Sequence, residues 1–360
     1  MKLKTKILID RFIGRILCFC FGLAALLLGR ILSRDHGMEI GKIKTIVVAK
    51  YYGMGSITHS IPTLKALKEK YPHAKIVFIT RKSNREFVEL IEYIDEPYYI
   101  DDGYFISFFI SNIKLLLKLW SLKVDLFFDL EVFSSYGALM GLFSLTRNRF
   151  GFFFPHSAHF KSWIYSHLIY FNFQMPLRLS YMQLARLGGA DIDSSTDLIA
   201  FNLPEEIRLS AKNKLENFMD KKSRGLLAIN VNASELSFSR RWRIENFAKT
   251  AQVFASKGYC VLLLGSPGEK EYVEKVLKFV GDNYEQVGSI YNAAGFFSLY
   301  EVLALFDFCD AFLTNDSGLM NLACTQNAKI VALYGANVPQ FVHIDNGINT
   351  VIYKKAYCSP

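Results

Sequence analysis

Asn315, Asp316, Ser317 and Gly318 form a polar turn between the apolar run Ala311–Leu313 and a segment, Leu319 to Gln326, with the make-up of a helix. Backbone N–H groups at the start of such a helix lack intrahelical partners and carry the positive end of the helix dipole, so the turn can hold a phosphate. The same residue types are also ordinary helix caps, and other groups must decide. Arg240 and Arg241 precede a helical pattern that opens at Ile244, and guanidinium forks bind phosphate oxygens in pairs. Asp129 and Glu131 close the apolar run that starts at Val124, at the end of a strand where ligands of open α/β sheets gather. His59 follows the glycine turn Gly53-Met54-Gly55 by one helical turn. An anion site together with a carboxylate or imidazole base is the equipment for group transfer from a phosphorylated donor.

The elements that must position these groups alternate between strand and helix. TIVVAK (Thr45–Lys50) reads as a buried strand, Ser56 to Tyr71 has helical spacing, and KIVFIT (Lys75–Thr80) repeats the strand signal. Tyr104 to Lys123 reads as an amphipathic helix ahead of the Val124–Glu131 strand. A second series opens with the strand Gly225–Ala233, which ends at Asn232, and continues with a helix at Ile244–Lys257 and a strand and turn through Gly265 and Glu269. This is the grammar of an α/β chain with two Rossmann-like, doubly wound domains facing a central cleft, the default ligand site. The weakly patterned stretch Asp191–Ser223 separates them, giving an N-terminal segment 1–42, a first domain 43–205 and a second domain 206–360.

Composition narrows the classes. The chain has 360 residues, 51% hydrophobic, which excludes a disordered protein, and its net charge of +9 points to an anionic partner. No basic helix, zinc-finger spacing or interleaved aromatic signature singles out nucleic acid. The six cysteines form no C-x-x-C pair and mostly sit in apolar runs, which favours reduced thiols in a cytoplasmic protein. Ile16–Gly29 is an uninterrupted apolar stretch between Arg15 and Arg30, shorter than the ~20 residues of a usual span. An N-terminal membrane-anchor helix, lying on or dipping into the bilayer, is expected. Phe150–Phe173 is crowded with aromatics and reads as a loop that packs on the domain or faces lipid. Its His156 and His159 have no carboxylate or cysteine nearby, so no metal site is expected.

A dehydrogenase reading fails, because Gly53-x-Gly55 lacks the third glycine and the second strand ends in Thr80-Arg81-Lys82 with no acid for a ribose hydroxyl. The Walker pattern is missing too. Four stretches instead resemble glycosyltransferase family nine, the inverting family that contains the ADP-heptose:lipopolysaccharide heptosyltransferases. They are AKYYGMGSITHSIPTLKALKEKYPHAKI, DLFFDLEVFSSYGALMGLFSLTRNRFGF, INVNASELSFSRRWRIENFAKTAQVFASKGYCVLLLGSPGE and TNDSGLMNLACTQNAKIVALYGANVP. The resemblance implies a GT-B architecture and no metal or other cofactor. It implies a nucleotide-diphosphate sugar donor, ADP-heptose first, on the C-terminal domain, and a lipopolysaccharide-type or other lipid-linked acceptor on the N-terminal domain. On that reading Asn232, Arg240, Arg241, Gly265, Glu269, Asp316, Ser317, Gly318 and Asn321 bind the donor. Gly53, Gly55 and Ser56 lie on the acceptor side, and the protein works at the cytoplasmic face of the inner membrane, as a peripheral or singly anchored enzyme.

Two departures from the family pattern stand out. Ser56 occupies the place after the glycine turn where the family has an acid, which leaves Glu131, Asp129 and His59 as bases, Glu131 first. Asn321 stands where members often have a histidine, so the donor can differ, a UDP-hexosamine being the alternative. A catalytically degenerate, membrane-anchored glycan binder is the non-enzymatic alternative. GT-B chains usually end with a helix that crosses back to the first domain, and none is visible before Pro360.

Overall fold

The computed structural model describes residues 3–33, 35–155, 159–191, 200–233, 238–281, 289–326, 328–345 and 347–354. The chain forms two compact units, Met1–Tyr52 with His59–Asp197, and Gly53–Thr58 with Leu198–Pro360. Each contains one six-stranded, fully parallel sheet.

In the first unit the strands β1 (Thr45–Ala49), β2 (Lys75–Arg81), β3 (Glu96–Ile100), β4 (Leu126–Asp129), β5 (Asn148–Phe153) and β6 (His167–Tyr170) lie in the order β3-β2-β1-β4-β5-β6. Every residue of β1 and β4 is buried. That is why their sequences are continuous apolar runs and do not alternate. The order reverses between β1 and β4, and the register Ala49↔Asp129 brings their C-terminal ends level. Open α/β sheets gather their ligands at such a switch point.

The second unit repeats the plan with β7 (Gly225–Asn230), β8 (Tyr259–Leu264), β9 (Ile290–Asn292), β10 (Ala311–Asn315), β11 (Ile330–Tyr334) and β12 (Thr350–Tyr353). The order is β12-β11-β10-β7-β8-β9, and Thr314 pairs with Asn230 where β10 meets β7. Its core joins Ile229, Val231, Leu263 and Leu313 of the strands to Phe247, Ala251, Val273 and Val276 of two covering helices, Ile244–Ser256 and Lys270–Val280. Two Rossmann-type units of this kind make the fold GT-B.

Two local expectations need correction. The helical pattern Ser56–Tyr71 is two helices, Met54–Thr58 and Ile61–Lys70, with Pro62 in the first turn of the second. Proline lacks an N–H and belongs at a helix start, so it divides the segment. Phe150–Phe173 contributes most of β5 and all of β6, where His167 stacks on Phe150 at 4.4 Å between ring centroids. In β5 the residues Asn148 to Phe152 are all buried, so the aromatic run shows no two-residue period by which to read it as a strand. His156 lies outside the described residues.

The N-terminal segment runs as a helix Leu3–Ile9, a π-helical turn Asp10–Gly14 and a helix Arg15–Ile31. It is docked on the first unit. The Asp10 carboxylate accepts the N–H groups of Ser135 (3.0 Å) and Tyr136 (2.9 Å), so it caps the helix Ser135–Phe143 from outside. Gly14, Cys18 and Gly22, spaced by four, form the docked face. A Cβ on Gly22 would stand 3.1 Å from Trp163 Cβ and 3.2 Å from the Phe160 carbonyl oxygen. The large apolar side chains turn outward, with Phe12 65% and Ile16 63% exposed. The helix Phe105–Leu122 does the same: it buries Leu115 and Leu119 and exposes Phe105, Ile106 and Phe109. By length and hydropathy both Thr5–Ile31 and Phe105–Leu122 are sufficient to cross a membrane.

Gly22→Leu therefore drives a side chain into Trp163 and the Phe160 carbonyl. Overpacking of this sort costs about 1–3 kcal/mol. Limited proteolysis should cut Thr5–Ile31 faster in the variant while both sheets keep their hydrogen-exchange protection; an unchanged cleavage rate would mean that the glycine face does not carry the docking.

Candidate active site

The ends of β7 and β10 are laced together by asparagines. Asn230 Nδ2 donates to the hydroxyls of Thr314 and Ser317, each at 3.0 Å. Asn315 Nδ2 donates to the Val231 carbonyl at 3.1 Å, and its Oδ1 accepts the Trp242 N–H at 2.9 Å. Ser317 caps the helix Gly318–Thr325, its hydroxyl accepting the Met320 N–H at 3.2 Å. That hydroxyl is buried and committed to protein partners, so the N–H groups of the helix start, more than the hydroxyl, are what this turn offers a phosphate.

Around this frame stand polar groups left without partners. Asn232 is 2% exposed, and neither amide atom has a hydrogen-bond partner among the described residues. Asn321 Nδ2 donates to the Ser317 carbonyl at 3.1 Å, while its buried Oδ1 has no hydrogen-bond partner among the described residues. A buried polar atom without a partner costs about 1–3 kcal/mol, so two such amides at one switch point mark a place shaped for a ligand. Asp316 is buried, takes the Asn337 amide at 2.6 Å and pairs with Arg240 Nε at 3.4 Å. Burial raises its pKa, and Arg240 and Asn337 only partly oppose that. The Arg241 guanidinium is stacked on Phe238 (4.6 Å) and Tyr272 (4.5 Å), which fixes its plane, and its Nε has no hydrogen-bond partner among the described residues. Gly265 follows β8, and the Glu269 carboxylate returns to the Ser266 N–H (2.7 Å) and hydroxyl (2.9 Å) as a capping box. Glu269 thus shapes its turn with its charge already engaged.

Gly53–Thr58 packs with the second unit. Gly53 has φ +84°, and the helix Met54–Thr58 lies so near Gly318–Thr325 that a Cβ on Gly55 would meet Asn321 Nδ2 at 2.5 Å. Only glycine allows this approach. Ser56, half-buried, sits on that short helix.

In the first unit Glu131 Oε1 accepts the N–H groups of Tyr51 (2.8 Å) and Tyr52 (3.0 Å) and pairs with the Lys50 ammonium at 2.8 Å. All three contacts fall on Oε1, and Glu131 is 7% exposed. Asp129 lies deeper, fully buried: it accepts the Glu131 N–H at 2.9 Å and the Tyr165 hydroxyl, and stands 4.0 Å from Lys161 Nζ. Burial pushes its pKa up to about 6, against the pull of Lys161 and Tyr165. The Lys161 ammonium, 2% exposed, donates to the carbonyls of Glu131, Val132 (3.1 Å) and Ser134 (3.1 Å), and burial pulls its pKa down. His59 is buried at 1% exposure. Of the three bases named from sequence, Glu131 alone keeps a carboxylate oxygen without a protein contact among the described residues.

Residues 133–360 match the family model for glycosyltransferase family 9 (heptosyltransferase). The chain belongs to glycosyltransferase family 9. It is 36% identical over 108 residues to lipopolysaccharide heptosyltransferase 2 of Escherichia coli (strain K12), a match that covers 30% of this chain and 30% of that relative. The aligned stretch thus spans less than a third of the curated relative's length. Among solved structures, the family 9 glycosyl transferase of Veillonella parvula superposes with a TM-score of 0.73 at 22% identity, over 89% of this chain and 88% of that one. The E. coli ADP-heptose lipopolysaccharide heptosyltransferase II gives 0.69 at 23% identity, over 86% and 90%. The likeness to both structures is one of fold.

Within this family 9 chain, sequence reasoning missed Lys50 and Lys161. A lysine directly after the apolar run of β1 was a signal, since a charge there must be paired. Lys161, amid aromatics, gave none. Asn230 and Asn337 were missed as well, because amides at strand ends are common in turns.

The sign of the Asp129 shift sets a pH dependence. A carboxyl whose folded pKa lies above its unfolded value is favoured in its neutral form by the fold, so this group adds stability as pH falls through 6 toward the ordinary value of 3.8. Between pH 7 and pH 4 the gain is about 2 kcal/mol. Denaturant unfolding at the two pH values should show it in the native chain and lose it in Asp129→Asn; parallel shifts in both would remove Asp129 as its source.

Proposed function

We propose that the chain transfers a heptose-like sugar, with inversion and without a metal, from ADP-heptose to a lipopolysaccharide-type or other lipid-linked acceptor at the cytoplasmic face of the inner membrane. The observation that carries the reading is the buried Asn232 amide together with the buried Asn321 Oδ1, none of whose atoms has a hydrogen-bond partner among the described residues, beside Arg240 and Asp316 at the switch point of the second sheet. Membership of family 9 and the likeness to the lipopolysaccharide heptosyltransferase 2 of E. coli support the same class of donor and acceptor. A sugar nucleotide needs hydroxyl partners for its sugar and positive charge for its diphosphate. The asparagine amides and Asp316 meet the first need. Arg240, Arg241 and the N–H groups at Gly318 meet the second, and they take over the charge stabilisation that a metal would otherwise supply.

The reaction joins the acceptor oxygen to the anomeric carbon while the bond from that carbon to the diphosphate oxygen breaks. The acceptor proton passes to Glu131, and ADP leaves with the electron pair. Lys50 and the N–H groups of Tyr51 and Tyr52 fix Glu131 through Oε1, so Oε2 is the atom that takes the proton. Lys50 and Lys161 act as positioning residues. The outward apolar faces of Thr5–Ile31 and Phe105–Leu122 support a site at the membrane surface. Ser56, in place of the family's acid, favours a second reading in which the donor is held without turnover.

Donor and catalytic roles separate in two variants. Arg240→Ala should lower the thermal stabilisation by ADP-heptose, weakening binding about tenfold or more, as loss of a charged hydrogen bond does. Glu131→Gln should bind the donor as before and lose transfer, by about 100-fold or more for a general base. Unchanged turnover in Glu131→Gln removes it as the base. Stabilisation by a UDP-hexosamine and not by ADP-heptose replaces the donor. Donor binding without transfer in the native chain selects the second reading.

A further inference from the structure

One ammonium holds the chain as it leaves β4. Lys161 Nζ binds the carbonyls of Glu131, Val132 (3.1 Å) and Ser134 (3.1 Å), so the backbone from Glu131 to Ser134 is pinned. Glu131, Val132 and Ser134 are buried, and Phe133 alone of the four turns outward, 61% exposed. A pinned backbone that keeps a phenyl ring in water forgoes the gain of burying it, and exposure of that kind marks a contact surface.

Phe133 is one of a group. Phe173, 45% exposed, lies with its ring centroid 6.0 Å from that of Phe133 and its plane inclined by 21°, and Phe154 meets the two rings edge-on at 6.1 and 4.9 Å. The buried Phe171 backs them, 5.1 Å from Phe173. Each of the three outer rings follows the C-terminal end of a neighbouring strand: Phe133 after β4, Phe154 after β5 and Phe173 after β6. That edge of an open α/β sheet is where ligands gather. Asn172 and Gln174, both exposed, flank Phe173, and Asn172 Oδ1 accepts the Gln174 N–H at 2.9 Å. Aromatic faces and amides thus share one shelf.

Its position says which part of an acceptor it meets. Phe133 follows Glu131 by two residues, so their Cα atoms lie no more than about 7 Å apart. The acceptor hydroxyl must come within hydrogen-bond reach of Glu131 Oε2, and the ring that bears it then lies beside the shelf. A pyranose has C–H faces and a rim of hydroxyls. Its C–H groups carry partial positive charge and suit the negative face of a phenyl ring, while amides both donate to and accept from the rim. An acyl chain would use the rings and leave the amides idle.

We propose that Phe133, Phe154 and Phe173 form the subsite for the pyranose ring that receives the transferred sugar, with Asn172 and Gln174 bonding its hydroxyls. The inference rests on the reading of Glu131 as the base of a sugar transfer, and it adds the surface that presents the acceptor to that base.

The test uses the full chain and a deacylated, heptose-free lipopolysaccharide core fragment, which has no acyl chain to bind. In saturation-transfer NMR, irradiation of the aromatic protons should reach the C–H protons of one pyranose ring. Phe133→Ala and Phe173→Ala should each weaken fragment binding about threefold to tenfold, whereas Phe133→Trp should keep it. In transfer assays the acceptor KM of Phe133→Ala should rise more than kcat falls, with the thermal stabilisation by ADP-heptose unchanged. Hydrogen exchange on both sheets checks that the variants fold. Fragment binding that survives both alanine variants overturns the proposal. A loss confined to the binding of phosphatidylglycerol vesicles overturns it too, by making the rings a membrane contact. Binding that depends on Phe133 in a chain without transfer would leave the shelf standing and sink the proposed activity; transfer whose KM ignores both rings would sink the shelf alone. A native chain that neither binds nor glycosylates the fragment overturns both.

Discussion

A single buried ammonium organises the first unit. Lys161 Nζ gathers the carbonyls of Glu131, Val132 and Ser134, and stands 4.0 Å from Asp129. Carbonyls of a chain leaving a parallel strand have no ladder partner, and buried ones must find a donor. The lysine supplies three donors from one atom, which no neutral side chain can. Burial disfavours its charge and that of Asp129 alike, so each is retained because the other and the carbonyl cage offset the loss of water. The Glu131 carboxylate then meets the N–H groups of Tyr51 and Tyr52, and Ser134 starts the helix that Asp10 caps. The Glu131 carboxylate, the strand end and the docking of the N-terminal segment thus share one electrostatic root.

The fold was legible because its strands are buried on both faces. TIVVA and LFFD are continuous apolar runs, and that pattern, with helical spacing between runs, admits little besides a parallel sheet. The helix break at His59–Ser60 was less visible, since Pro62 is compatible with a helix start as well as with a helix end. β5 and β6 were hidden because a strand whose both faces carry aromatics, as Phe150, Phe152, Phe153 and Phe154 do, loses the two-residue alternation. Inward and outward positions are equally apolar there, and only pairing distinguishes them.

The donor side was legible residue by residue, yet the roles shifted. Asp316 and Arg240 were singled out as separate groups and form a pair, a relation that residues 76 positions apart in sequence do not reveal. Ser317 and Glu269, expected to contact the donor, each bond local backbone: one caps a helix, the alternative that the turn also allowed, and the other closes a capping box. Hydroxyl and carboxylate at a turn are ambiguous because the backbone N–H competes for the same oxygen that a ligand would use. Asn232 and Asn321 stand out only when burial is known, since an amide without a partner is ordinary on a surface and costly inside. The outward apolar face of the N-terminal segment shows the same limit: the pattern reads as amphipathic, but which face meets protein is decided by Gly14, Cys18 and Gly22, whose small size looks like an absence of information.

The two departures from the family pattern belong to one contact. Ser56 lies on the helix Met54–Thr58, which packs on the helix that carries Asn321, close enough that Gly55 admits no side chain. The family resemblance places an acid at the first position and often a histidine at the second. An acid and an imidazole on adjoining helices form a charge pair when the ring is protonated, and removal of one member alone would leave the other charge half-buried and unpaired, which is strongly destabilising. Serine with asparagine removes both together and keeps hydrogen-bonding capacity at each. On this argument serine and asparagine belong together at the contact, and the proposed base is a carboxylate already held by Lys50 and two backbone N–H groups. The proposal that Glu131 takes the proton draws its support from that anchoring, because a base must be fixed before the acceptor arrives.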